Sequence, residues 1–93
     1  MEARRLVITG LVQGVGFRHH MSATARQLGI SGWVCNRSDR SVEAVIVGHA
    51  QTLAQMIDWA SRGPPDANVA QVYVEEVDPL PQMQGFNHHL TTV

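Results

Sequence analysis

The segment Gln13-Gly14-Val15-Gly16-Phe17-Arg18 carries the densest chemistry in this chain. It lies between a β-rich apolar run at 4–12 and a stretch whose apolar residues recur at helical spacing. A loop that opens a helix can turn several backbone N–H groups toward one point. The helix start adds unpaired donors and a partial positive charge. Gly14 and Gly16 let the backbone take φ > 0 and approach an oxygen closely. Arg18 adds a guanidinium that can hold two phosphate oxygens at once. All of this suits a dianionic phosphoryl group. The same residues also read as an ordinary strand-to-helix turn, with glycines for geometry and a surface arginine. The loop is not a Walker loop, because the required Lys and spacing are missing. GVGFRH also lacks the third glycine of the dinucleotide fingerprint.

A second polar residue stands out at Asn36, near the end of the next predicted strand. Its amide offers both a donor and an acceptor. That pairing can orient a water so that one lone pair faces an electrophile. It can equally serve the turn that follows. Arg37 and Arg40 either raise the local positive potential or are simply solvated. The five histidines invite a metal. However, His19-His20 and His88-His89 are adjacent pairs, and neighbours on a strand face opposite ways. HxH and HExxH spacings are absent, so no metal site is expected. His20 is either close enough to the glycine loop to tune it or a solvated helix residue.

These side chains need elements to carry them. Residues 4–12 predict a buried strand. Met21, Ala25 and Leu28, followed by Gly29, predict a helix over 18–28. Residues 31–37 and 41–48 predict two strands joined by the short turn Ser38-Asp39-Arg40, hence an antiparallel hairpin. Leu53, Met56, Ile57 and Ala60 form the stripe of an amphipathic helix over 50–62, ended by Gly63-Pro64-Pro65. Residues 69–77 predict a fourth strand, and 85–91 a short edge strand. The order βαββαβ predicts an α+β, ferredoxin-like sandwich. Its mainly antiparallel sheet of four or five strands carries both helices on one face. That fold hosts many functions and does not choose among them.

Composition narrows the field further. The chain has 93 residues, which fits one domain over 1–93. A hydrophobic content of 44% predicts a folded core rather than disorder. The net charge of −1 gives no general attraction to nucleic acid or membrane. All seven basic residues are Arg, which matches either phosphate chemistry or coding bias. Cys35 is the sole cysteine, so no disulfide can form within the chain. The start carries no long apolar segment, and a cytoplasmic protein is expected.

VQGVGFR at 12–18, followed by GWVCNRSDRSVE at 32–43, closely resembles the paired signature of the acylphosphatase family. Gly10, Ala25, Leu28-Gly29 and Gly48 fit as well. The match is good over 7–48 and looser beyond. The resemblance implies a ferredoxin-like fold and hydrolysis of acyl phosphates to carboxylate and inorganic phosphate, without metal or other cofactor. It also implies roles. Arg18 and the backbone N–H groups of Gln13, Gly14, Val15, Gly16, Phe17 and Arg18 would bind the phosphoryl oxygens, and Asn36 would orient the attacking water. The implied partners are a small-molecule acyl phosphate and inorganic phosphate as product or competitor; a monomer is the default. Arg40 stands where the family commonly has Gly in an Asp-Gly turn, and Cys35 replaces a commonly basic residue. If position 40 needs φ > 0, Arg would cost roughly 1–2 kcal/mol there; otherwise the turn adopts another type. Two rival readings are a non-catalytic module that binds a phosphorylated ligand or a partner protein, and a detached relative of the similar domains in larger carbamoyl-transfer proteins. Retention of Arg18 and Asn36 favours the enzyme over the first. The compact length favours it over the second.

Overall fold

Leu6 and Ile8 alternate along the first strand, β1 (Glu2–Leu11), and both are fully buried. Alternation sends Arg5 and Val7 to the opposite side. In the computed structural model, which describes residues 1–88, β1 is followed by α1 (Phe17–Gln27), β2 (Ser31–Asn36), β3 (Val42–Gly48), α2 (Ala50–Arg62), β4 (Asn68–Glu76) and β5 (Phe86–His88). The expected elements are all present, with ends shifted by no more than two residues over 1–88. Of the predicted edge strand, residues 89–91 lie outside the described residues.

The sheet order is β4-β1-β3-β2-β5. β1 and β2 both pair antiparallel with β3, so they run parallel to each other with α1 between them in sequence. β3 and β4 both pair antiparallel with β1 and are related in the same way through α2. Only β5, against β2, adds a parallel pair. The α+β, ferredoxin-like expectation therefore holds, with a mixed sheet of five strands.

One face of the sheet holds the core. Leu6, Ile8, Val34, Ala44 and Ile46 meet Phe17, Met21 and Ala25 of α1 and Leu53, Met56 and Ala60 of α2. Residues 17, 21 and 25 repeat every four, so they stack along one side of α1. The Phe17 and Trp59 rings meet edge-to-face with centroids 5.3 Å apart, which ties the first turn of α1 to the last turns of α2. On the other face Arg5 Nε donates to Glu43 at 2.6 Å and Arg5 Nη1 to Glu75 at 3.0 Å, linking β1 to both its neighbours.

Candidate active site

The β1–α1 loop takes its shape from where its side chains go. Val12 and Phe17 are buried, and Val15 packs half-buried on the same core. Gly14 and Gly16 lie between them at φ 76° and 78°, the left-handed region that a side chain disfavours. Three apolar anchors thus draw the chain inward while the glycines reverse it twice. Gly16 is the N-cap of α1, has no side chain to cap with, and no acidic residue follows in the first turn. The helix-start bond runs from His20 N–H to Gly16 C=O at 3.0 Å. The N–H groups of Phe17, Arg18 and His19 precede that bond and have no intrahelical acceptor. The positive end of α1 is therefore neither capped nor neutralised from within.

A cleft of about 240 Å³ opens at this point. Gly14, Gly16 and Arg18 line it together with Asn36, from the end of β2. The two residues that the sequence singles out for chemistry therefore share one cavity. Asn36 Oδ1 is shielded and has no hydrogen-bond partner among the described residues. An orphaned buried acceptor costs about 1–3 kcal/mol. His19 also lines the cleft, whereas the His20 ring stands beside Gly16. Among the described residues no group of three or more His, Cys, Asp or Glu is placed to hold a metal ion.

Sequence reasoning missed what Gln13 does. Its side chain turns away to the β2–β3 connection, where Nε2 donates to Arg37 C=O and Ser41 C=O, each at 2.8 Å. Gln13 therefore fastens the glycine loop to the hairpin that carries Asn36. Only the pairing of a loop amide with a nearby turn could have hinted at this, and residues 13, 37 and 41 are far apart in sequence.

The hairpin loop is tight. Arg37 N–H donates to Ser41 C=O at 2.9 Å and Arg40 N–H to Arg37 C=O at 3.1 Å. Asp39 Oδ1 accepts from Ser41 N–H at 3.0 Å, an Asx turn. The two Ser41 bonds, side-chain then backbone, hold the Asp39 carboxyl below its usual range, with Arg37 helping. Arg40 takes φ 75°, the left-handed third position of a three-residue hairpin loop. Of the two alternatives the sequence left, the strained one is realised, at a cost of about 1–2 kcal/mol. The surrounding bonds, Gln13's included, hold it in place.

A family model described as Acylphosphatase matches residues 4–88. An acylphosphatase of Acidovorax sp. strain JS42 is 49% identical over 88 residues, 95% of this chain and 90% of its own. The crystal structure of acylphosphatase from Bacillus subtilis superposes with a TM-score of 0.92 at 31% identity, covering 96% of this chain and 99% of that one. Full-length HypF, in a phosphate- and nucleotide-bound form, matches with a TM-score of 0.88 at 26% identity, over 97% of this chain but 12% of that chain.

Proposed function

The chain belongs to the acylphosphatase family, hydrolases that act on acid anhydrides, and from that premise we propose how it works and on what. The protein takes an acyl phosphate, holds its phosphoryl group in the 13–18 loop, and directs water at phosphorus. Backbone N–H groups of Gly14 to Arg18 and the Arg18 guanidinium bind the phosphoryl oxygens. Asn36 orients the water. The observation that carries this reading is the shared cleft, lined by Arg18, Asn36 and the glycines that precede an uncapped helix start.

The chemistry asks little more. The transition state spreads negative charge over the equatorial oxygens of the transferred group. Fixed N–H donors and one guanidinium stabilise that charge without reorganising. The new bond joins the water oxygen to phosphorus, and the P–O bond to the acyl oxygen breaks with its electrons. The carboxylate is a good leaving group and needs no proton. Asn36 is too weak a base to take one. A dianionic substrate and water give one carboxylate and one monoanionic phosphate, so the second water proton ends on the phosphoryl group itself. Positioning supplies much of what remains, and here the Gln13 clamp fixes Asn36 against the loop.

The reading takes the reaction to be metal-free and the protein to be a cytoplasmic monomer of one domain. No described helix is long and apolar enough to cross a membrane. The test is hydrolysis of an acyl phosphate in excess EDTA with inorganic phosphate as competitor. Turnover that survives EDTA and is inhibited competitively by phosphate is expected. Turnover abolished by EDTA refutes the metal-free route. An inert protein that still binds phosphate points to a non-catalytic phosphate-binding module.

A further inference from the structure

Arg40 combines a strained backbone with an exposed charge that no neighbour takes up. It is a non-glycine residue held at φ 75°, and its guanidinium makes no hydrogen bond or ion pair among the described residues. The neighbouring acid does not satisfy it: Asp39 is taken up by Ser41 and lies 3.7 Å from Arg37. Arg40 is exposed, so its charge is solvated and free to meet a ligand, and its backbone strain needs a reason beyond the turn, since glycine would make the same turn without strain.

The surroundings supply one. Arg40 lines a second cleft, of about 400 Å³, with Gly10, Leu11, Val12, Gln13 and Gly14. Val12, Gln13 and Gly14 also line the phosphoryl cleft, so the two cavities share one wall. Gly14 has no side chain to raise that wall, and a Cβ built there meets nothing within 4 Å. A substrate held by its phosphoryl group in the first cleft can therefore extend across Gly14 into the second. There it meets exposed Leu11 and then Arg40.

We propose that Arg40 forms an anionic subsite for the acyl portion, which makes the protein selective for acyl phosphates bearing a second negative group at the far end of a short chain. This deepens the proposed function and rests on it. A planar guanidinium accepts either a carboxylate or a phosphate-like group in two-point contact. The Gln13 and Asp39 bonds fix the turn backbone that carries Arg40 beside the second cleft. Arg40 touches no reacting atom and acts on substrate choice.

The test compares butyryl phosphate with succinyl phosphate, which are nearly the same size and differ by a terminal methyl or carboxylate. In the wild-type protein kcat/KM should favour succinyl phosphate, mainly through KM. The preference should shrink as ionic strength rises, because an exposed pair is screened. Arg40→Gln should lower the selectivity ratio about five-fold, the size expected for an exposed charge pair. Arg40→Gly should do the same while relieving the backbone, so lost stability cannot explain the result. A phosphonate in place of the distal carboxylate distinguishes the two anions, and the larger Arg40-dependent ratio identifies the preferred group. Equal ratios in the wild type and both variants for either anion would overturn the subsite and leave the phosphoryl chemistry standing. Failure of the wild type to hydrolyse any of the three acyl phosphates would overturn both.

Discussion

The fold passes twice from a strand into a helix on the same side of its sheet, and the two corners are built differently. Between β1 and α1 the chain spends residues 12–16, with two glycines at positive φ and two apolar anchors, Val12 and Val15. Between β3 and α2 it spends only His49, in an extended conformation at φ −77°, ψ 151°. Both helices start without a side-chain cap and without an acid in the first turn. By dipole alone the two starts are equivalent. The second is closed: a Cβ at Gly48 would lie 3.3 Å from Thr52 Oγ1 and 3.5 Å from Leu53, and Thr52 Oγ1 donates to His49 C=O at 2.9 Å. The first opens on a cleft that also holds Arg18 and Asn36. A helix start becomes an anion site when a loop makes room before it and polar side chains converge on that room.

The comparison can be broken most forcefully at Arg18. Arg18→Ala should leave a helix start with no more pull than that of α2. It should reduce kcat/KM by about 10³-fold and weaken inhibition by phosphate, as steady-state kinetics would register. Asn36→Ala should leave phosphate inhibition close to wild type and lower kcat by about 10²-fold. Unchanged turnover would remove its water-positioning role. Gln13→Ala cuts the tie between loop and hairpin and deprives two carbonyls of their donor. A fall of about ten-fold in kcat with little change in phosphate affinity would mark Gln13 as a positioning residue. The gentlest comparison pairs the two corner glycines. Gly16→Ala forces φ 78° on a side chain beside the His20 ring and should cost about 1–2 kcal/mol, read from thermal or denaturant unfolding, with weaker phosphate binding. Gly48→Ala meets Thr52 Oγ1 at a tight 3.3 Å, which a small shift of that side chain relieves, and no positive φ. It should shift stability by less than about 1 kcal/mol and leave the kinetics alone.

The same contrast explains what could be read in the sequence. The amphipathic stripe Leu53, Met56, Ile57 and Ala60 and the alternation of β1 are local patterns, and α2 runs over Ala50–Arg62 as the pattern predicts. Taken singly, the glycine loop and Asn36 are ordinary turn residues; they could be picked out because VQGVGFR and GWVCNRSDRSVE together resemble one paired family signature. Their convergence in one cleft depends on β1 and β2 lying either side of β3, which follows from the βαββαβ order. Hydrogen bonds between distant positions left no such mark. Gln13 read as one more member of the loop, while its amide serves Arg37 and Ser41. The conformation of Arg40 stayed open because arginine disfavours the geometry it adopts, and composition alone cannot tell which constraint prevails. The parallel pairing of β5 with β2 was equally hidden, since the strand is only Phe86–His88 and residues 77–85 must first cross from one sheet edge to the other.

Val12, Val15 and Phe17 belong at once to the proposed phosphoryl cradle and to the packed interior. Heating should therefore loosen this loop together with the core rather than as a separate event. Activity and native structure should vanish along a single melting curve, and both should return together on cooling.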